Sequence, residues 1–402
     1  MLNFFFYLLL LCFSLNICYP NNAYWSLDSE KTIQTRLFHK DKSYKSQKNT
    51  YSVELSSELF VEPNQNTNFL LVPNYRYDHF DKERSLFDIS QGYILYFNKR
   101  SELKLGKEKI FWGVTELKNL VDIVNSPDNA SGEEKSKLGQ TLISYSYIDN
   151  NFGFIDLIYM PEFHNPSQVG KKGRLRLNLP TENYNTVYEG GAGERTPSWA
   201  AKWQNSFGDT DISFQIFRGT SRDTSTIPKL ENGQVKYFAG YERISQFGSF
   251  IQKVSGPFIY KFEGIKRNGQ KNSLYKRQNY YSYITGLEYI KTRLFQRMWD
   301  LNLFLEYSND DRGSSSTDIF QNDLFVGSRI SLNDVDGTEI TQTLSLDLDG
   351  NGNTGSVEIS SRLRETLRIS ADYSFYWSLK NGDTLYSFRN DNYIGIRLTN
   401  YF

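Results

Sequence analysis

The residues best suited to metal chemistry lie in the segment DLDGNGNTGSVE, residues 347–358. Its side-chain oxygens have the spacing of a calcium-binding loop, with the ligands at Asp347, Asp349, Asn351 and Glu358. An EF-hand needs a helix on both sides, whereas residues 340–348 and 357–363 alternate between apolar and polar, as strands do. The segment is therefore predicted to form a hairpin turn and no metal site, and an external calcium site on that hairpin is the alternative.

Catalysis by histidine is the second chemistry to consider, and only His39, His79 and His164 could supply it. None of them lies beside a nucleophile signature, and no arrangement of Ser, His and Asp can be placed on the sequence. We therefore predict no catalytic residues, no cofactor and no enzymatic activity. A hydrolase that depends on one of these histidines is the alternative.

The N-terminus has the pattern of an export signal. The apolar run over residues 4–15 is too short to cross a bilayer as a helix but has the length of a signal-peptide core. We predict a signal peptide over residues 1–23, with cleavage after Cys18 or Ala23, and lipidation of Cys18 is the alternative. Because Cys12 and Cys18 both lie in this segment, a mature domain of residues 24–402 has no disulfide and no thiolate chemistry.

The composition favours strands. Aromatic residues make up 16% of the chain, with 28 Tyr and 29 Phe, and flat rings pack well on pleated surfaces. The equal numbers of acidic and basic residues exclude an electrostatic case for nucleic acid. Roughly eighteen runs of about 9 to 12 residues alternate between apolar and polar, which is the length of a tilted strand that crosses a bilayer. One of these runs, with Ile394, Ile396 and Leu398 on one face, continues to Phe402.

The connections between these runs alternate in length. Tight turns such as 98–100, 150–151 and 208–209 alternate with longer polar segments such as 113–139 and 161–196. Barrels of the outer membrane have short periplasmic turns and long external loops. The pattern therefore predicts an all-β protein, a transmembrane antiparallel up-and-down β-barrel of about 16–18 strands, in the outer membrane of a Gram-negative bacterium.

The polar face of each strand would then line the lumen. The lining residues we single out carry both signs of charge: Arg76, Lys202, Glu306, Arg329, Arg368, Asp372 and Arg397. An anion-selective pore would show an excess of Lys and Arg in its wall. The balance of charge indicates no selectivity for either sign, and pairing of these residues across strands is the structural alternative.

The segment 113–139 is predicted to be an external loop that contains a short amphipathic helix. Leu117, Leu120, Val121 and Val124 have the spacing of one helical face, and Thr115 could cap the start. If the loop folds into the barrel, it would place Glu116, Lys118 or Asp122 at a pore constriction. The alternative is a lid that packs over the rim.

Several blocks of the sequence resemble a family of uncharacterised proteobacterial outer-membrane barrels, and more distantly the phosphate-selective and alginate-export porins. These blocks are KIFWGVTELKNLVDIVNSPD (109–128), KLGQTLISY (137–145), GRLRLNLP (173–180), DLFVGSRISLNDVDGTE (323–339) and the final NYF. The resemblance implies an outer-membrane location and passive passage of solutes. It also implies that Phe402 is the aromatic signal that the barrel-assembly machinery recognises.

Taken together, the sequence predicts a porin-like channel for passive diffusion of small polar solutes. Its partners would be membrane lipid and lipopolysaccharide, the barrel-assembly machinery and the solutes, with a homotrimer left open. A non-conducting barrel with a structural or surface-contact role is the alternative. Single-channel conductance distinguishes the two.

Overall fold

The computed structural model describes residues 23–40, 49–132, 135–177 and 181–402. The predicted signal peptide, apart from Ala23, lies outside the described residues. The strands are β1 (Tyr24–Phe38), β2 (Asn49–Asn64), β3 (Thr67–Asp78), β4 (Leu86–Phe97), β5 (Ser101–Glu108), β6 (Gln140–Asp149), β7 (Gly153–Met160), β8 (Glu182–Glu189), β9 (Ser198–Phe207), β10 (Thr210–Thr220), β11 (Ser225–Glu231), β12 (Gln234–Ser255), β13 (Phe258–Lys271), β14 (Arg277–Leu294), β15 (Trp299–Asp310), β16 (Asn322–Ser331), β17 (Glu339–Asp347), β18 (Asn353–Arg364), β19 (Leu367–Trp377) and β20 (Tyr393–Tyr401). Short 3₁₀ turns cover Lys82–Arg84, Gly313–Ser315 and Thr384–Phe388.

Eighteen of these strands form one closed antiparallel barrel, which confirms the predicted fold class. Sequential strands pair with their neighbours, and the barrel closes where β1 pairs with β20 from Glu30↔Tyr401 to Phe38↔Tyr393. Each of the alternating runs in the sequence corresponds to one barrel strand. The last strand is therefore bonded on both sides, to β19 and to β1.

Two strands, β8 and β11, stand outside the closed barrel, in segments that were predicted as loops. β8 pairs in parallel with residues of β12 up to Glu242, and β11 pairs antiparallel with the start of β12 from Ser225↔Gly240 to Glu231↔Gln234. β12 has 22 residues, about twice the 9 to 11 that a tilted strand needs to cross a bilayer. These three strands therefore form a sheet that continues one side of the barrel at the rim with the long connections.

Side chains are distributed in the reverse of the order found in a water-soluble domain. In β10, Phe214 and Ile216 are exposed on the outer surface, while Ser213 and Gln215 are buried inside. The same alternation runs through the other barrel strands, because successive side chains of a strand point to opposite faces. The outer surface is therefore apolar and much of the interior is polar. Among the described residues, no helix has the length and apolar character that crossing a membrane requires.

The two rims differ as predicted. One rim has tight turns, such as residues 98–100, 208–209 and 256–257, and Gly256 takes the positive φ of 58° that its turn needs. The other rim has long connections, including 109–139, 161–197 and 378–392. The predicted long loop over 268–278 is shorter than expected, because β13 and β14 extend and leave only residues 272–276 between them.

Candidate functional site: the barrel interior and its inner loop

Residues 109–139, which connect β5 to β6, fold into the barrel, and we call them the inner loop. Its apolar side chains are buried, with Val121 and Val124 completely inaccessible to solvent. They pack on inward-facing apolar residues of β6 to β14, which are Leu142, Ile158, Met160, Ala200, Phe217, Ile244, Phe250, Ile265, Tyr280 and Ile284. We call this part of the wall the dry arc.

The inner faces of β16 to β20 have a different character. Thr343, Ser356 and Ser374 are partly exposed there, and the hydroxyls of Thr343 and Ser356 lie 2.7 Å apart. The inner loop does not cover these residues, since they line an open cavity instead. We call this part of the wall the hydrated arc.

Glu263 of β13 holds the inner loop by its backbone. Its carboxylate is fully buried and accepts hydrogen bonds of 2.7–3.3 Å from the N–H groups of Val114, Thr115, Leu120 and Val121, the Thr115 hydroxyl and the Asn119 amide. A Cβ at Gly113 would lie 2.8 Å from Oε1 of Glu263, so a glycine is needed where the loop passes this carboxylate.

The amphipathic helix predicted for this segment is wrong. The structure has no helix in the described part of the inner loop, although the spacing of Leu117, Leu120 and Val124 fits one. In a helix, the N–H groups would bond to carbonyls four residues earlier. Here Glu263 and Glu306 take those donors, and the apolar side chains are buried against the dry arc in an extended conformation.

Glu306, predicted to line the lumen, is a second acceptor for the inner loop. It is 1% exposed and accepts from the N–H groups of Glu116 at 2.6 Å and Leu117 at 3.0 Å. The Glu116 side chain bonds to Lys261 at 2.8 Å. Burial raises the pKa of Glu116, but the hydrogen bond and charge of Lys261 outweigh it, so this pKa lies below its usual value.

The other two predicted constriction residues also form ion pairs. Lys118 lies 2.7 Å from Asp318, in the connection between β15 and β16, and donates to the carbonyl of Phe320 at 2.8 Å. Asp122 pairs with Lys137 within the inner loop. Burial raises the pKa of Asp122, against the opposing charge of Lys137.

Three arginines hold the far end of the inner loop against β1, β3 and the connection after β3. Arg76, predicted to line the lumen, bonds to both carboxylate oxygens of Asp128 at 3.0 and 3.2 Å. Arg36 and Arg84 each donate to the carbonyl of Ser131 at 3.2 Å. Burial raises the pKa of Asp128, but the hydrogen bonds and charge of Arg76 outweigh it and lower this pKa. The loop is thus fixed at both ends.

Space remains on both sides of the inner loop. A cavity of about 440 Å³ lies toward the short turns and is lined by Glu116, Lys202 and Lys261 among others. Two cavities of about 540 and 650 Å³ lie toward the long connections, the first lined by Lys118 and Asp122. Lys135 lines all three. Residues 116–118 and Lys135 therefore lie where the spaces from the two rims meet.

The remaining predicted lining residues lie elsewhere on the inner wall. Lys202 lies over the rings of Phe154 and Trp112, at 5.1 and 5.7 Å from their centroids. The other four are on the hydrated arc or its edge. Arg329 lies 3.7 Å from Glu339, Arg368 donates to the Ser360 hydroxyl at 2.7 Å, Asp372 pairs in register with Gly395, and Arg397 with Ser370.

The calcium candidate residues do not come together. Residues 348–352 form the turn between β17 and β18, where the Asp347 carboxylate accepts from the N–H groups of Asp349 and Asn351. Glu358 lies within β18, in register with Thr341 rather than with the turn. In the described part of the chain, no group of three or more His, Cys, Asp or Glu side chains could hold a metal ion.

The histidines do not form a hydrolase site. Nε2 of His164 lies 3.1 Å from Glu162 and 3.4 Å from the Thr141 hydroxyl, and its Nδ1 lies 2.9 Å from the carbonyl of Gly139. A catalytic triad needs the base between nucleophile and carboxylate, on its two different nitrogens. His79 contacts Phe80 edge-on, and the backbone N–H of His39 bonds to Asn392.

Sequence reasoning missed the residues that fix the inner loop, chiefly Glu263, Arg36 and Arg84. A signal for the dry arc is present in the sequence, because stretches such as 154–160 and 212–217 are apolar on both faces. A strand that is apolar on both faces is covered on both. Within such a stretch, an inward carboxylate such as Glu263 needs partners from whatever covers it.

Phe402 follows β20, with its N–H and carbonyl bonded to the backbone of Ser29 at 2.9 Å. Its ring is exposed. Its role as an assembly signal stays a prediction.

Comparison with solved structures relates the fold to that of known barrels. OccK11 (OpdR) of Pseudomonas aeruginosa superposes with a TM-score of 0.56 at 11% identity, over 96% of this chain and 97% of its own. OccK9 (OpdG) of the same organism gives 0.54 at 9% identity, over 96% and 98%. OmpF of Salmonella typhi gives 0.48 at 10% identity, over 94% and 97%.

These identities show a shared fold and assign no residue a role. No protein-family profile matches the sequence. No curated protein matches it either. The protein therefore has a porin-like barrel that resembles those of Gram-negative outer-membrane porins.

Proposed function

We propose that this protein is an outer-membrane channel through which small polar solutes diffuse passively. The observation that carries the proposal is the series of cavities on both sides of the inner loop, which share Lys135 as a lining residue. An apolar outer surface around a polar interior is the arrangement that a bilayer requires of a spanning barrel. The location is accordingly the outer membrane of a Gram-negative bacterium.

In this mechanism, the inner loop sets the size limit and the hydrated arc supplies the path. Solutes would pass between residues 116–118 of the loop and the hydroxyl-bearing wall around Thr343 and Ser356. Hydroxyl and charged groups replace part of the hydration shell of a passing solute, while the dry arc stays closed to water.

The finer question of charge selectivity is left balanced in this proposal. The sequence resemblance to phosphate-selective porins would suggest anions, but the ion pairs Lys118–Asp318, Lys137–Asp122 and Lys261–Glu116 neutralise much of the charge beside the path. We therefore propose a channel for small polar solutes of either charge. Assembly as a homotrimer belongs to the same proposal, and light scattering in detergent with the detergent mass subtracted measures it.

Conductance across a planar bilayer tests the proposal. Residues 24–402, refolded in detergent and shown by circular dichroism to be rich in strand, should give discrete ion-conducting steps. Lys135→Glu should change the ratio of cation to anion permeability, whereas Lys253→Glu, at the outer surface of β12, should not. Silence from correctly folded protein would instead support a closed barrel with a structural role.

A further inference from the structure

The outer surface of the barrel carries basic residues at one place in particular. Arg218 of β10, Arg243 of β12, Lys266 of β13 and Arg277 of β14 alternate in phase with exposed apolar residues, so all four point away from the lumen. They lie on the half of these strands that is nearer the long connections. Outward residues of β15 at the same height, such as Leu305 and Tyr307, are apolar or uncharged.

A groove lies beside this cluster on the outer surface. It has a volume of about 610 Å³ and crosses β6, β7, β9, β10, β12 and β13. Ala201 and Ser245 are small and form its floor, while Trp199 and Phe247 are large and exposed beside them. The register joins these residues into two cross-strand rows, Leu157↔Ala201↔Ile216↔Phe247↔Lys266 and Tyr159↔Trp199↔Arg218↔Ser245↔Asn268.

The two rows put a positive charge beside an apolar surface twice. Lys266 follows Phe247 in one row, and Arg218 follows Trp199 in the other. Neither cation forms an ion pair in the described structure, and Lys266 lies over the ring of Tyr281, at 5.2 Å from its centroid. The outward faces of β9, β10, β12, β13 and β14 carry no Asp or Glu. The cluster therefore lacks internal counter-charges.

We propose that this groove binds a phosphorylated lipid of the outer leaflet, specifically the lipid A part of lipopolysaccharide. One acyl chain would lie along Ala201 between Trp199 and Phe247, and Arg218 and Lys266 would bind the phosphate groups. The inference rests on the proposed orientation in the outer membrane, which puts the long connections, and so the cluster, at the outer leaflet.

Charge complementarity selects this occupant over a second copy of the chain or a zwitterionic lipid. A second copy would need to bring carboxylates to the cluster, and the outward faces of these five strands offer none. A zwitterionic head group would bring its own cation beside the arginines. Phosphate oxygens are the acceptors that a guanidinium binds most specifically, and lipid A carries them next to acyl chains.

Lipid binding to the refolded protein tests the inference without use of the channel activity. Residues 24–402 in a zwitterionic detergent would be titrated with diphosphoryl lipid A, and bound lipid counted by native mass spectrometry. We expect saturable binding at one site. The R218Q/K266Q variant should bind at least about tenfold more weakly, and Ala201→Trp, which fills the floor of the groove, should also weaken binding.

Matched controls separate this site from general attraction between lipid and a basic surface. The K31Q/K253Q variant removes two outward lysines from elsewhere on the barrel and should bind lipid A like the wild type. Dephosphorylated lipid A and phosphatidylglycerol should bind more weakly to the wild type. Equal binding of either lipid, or equal losses in the two double variants, would overturn the proposal.

The conductance of R218Q/K266Q should match that of the wild type, since neither side chain faces the lumen. A wild type that fails to conduct but binds lipid A would refute the proposed channel and leave this site in place. A wild type that conducts but shows no selective lipid binding would refute only the site.

Discussion

The dry arc and the hydrated arc are parts of one barrel wall that differ in what their inner faces contact. In the dry arc, Phe217 and Ile284 are buried beneath the inner loop. In the hydrated arc, Thr343 and Ser356 face an open cavity. The strands on both sides have the same pairing and the same apolar outer surface. The inner face alone therefore records where the loop lies and where water remains.

The largest expected effect is the loss of the buried acceptor for the inner loop. Glu263→Ala leaves several buried N–H groups without partners and should lower the free energy of unfolding by at least about 3 kcal/mol. Urea unfolding in lipid vesicles measures this, and single-channel traces should become noisier as the loop detaches. Glu339→Ala is the control, because Glu339 is exposed on the hydrated arc and pairs only loosely with Arg329. Equal effects of the two variants would contradict the anchoring role of Glu263.

Truncation of one inward residue in each arc sharpens the comparison. Ile284→Ala should cost about 3 kcal/mol, because Ile284 is completely buried and its removal leaves a cavity under the loop. Thr343→Ala should cost about 1 kcal/mol or less, since it removes one hydrogen bond beside water. The same urea titration measures both. If the two costs were equal, the division into arcs would have no energetic meaning.

A pair of double-mutant cycles compares ion pairs in the two regions. The Arg76–Asp128 pair is buried and doubly hydrogen-bonded, so we expect a coupling of about 2 kcal/mol. The Arg329–Glu339 pair is about 40% exposed on each side and should couple by less than about 1 kcal/mol. Unfolding of the single and double alanine variants gives both values, and a stronger exposed pair would contradict the comparison.

The smallest expected effect is a pH dependence of loop anchoring. Because the pKa of Asp128 is lowered in the folded state, its contribution to stability is present above the unfolded pKa, near about 4, and is lost as pH falls through the native value. Unfolding measured from pH 7 down to pH 3 should show this loss for the wild type. Asp128→Asn should remove that part of the pH dependence, and an unchanged profile in this variant would assign the loss to other groups.

Most of the fold could be predicted from the sequence because alternation is a local property. Ile394, Ile396 and Leu398 indicate a membrane-facing strand without knowledge of any distant residue. β11 carries no such signal, since it pairs with an extension of β12 beyond the barrel. The two faces of a strand can be separated from sequence, but what covers the inner face depends on the rest of the chain.

The candidate site was less predictable for the same reason. Glu116, Lys118 and Asp122 do lie beside the central cavities, as the loop hypothesis expected. The contact between Leu120 and Glu263 joins residues 143 positions apart, so no local pattern indicates it. The helical spacing of Leu120 and Val124 reflects burial on the dry arc, which a helix and an extended segment can both satisfy.

The sheet made by β8, β11 and the first half of β12 has a practical consequence for topology. Val235 at its edge is 58% exposed, and Val335, in the turn between β16 and β17 at the opposite rim, is 95% exposed. Both cysteines of the chain precede residue 23, so a thiol introduced at either valine would be the sole one in residues 23–402. A maleimide that cannot enter living cells should then label Val235→Cys on intact bacteria and reach Val335→Cys only after lysis.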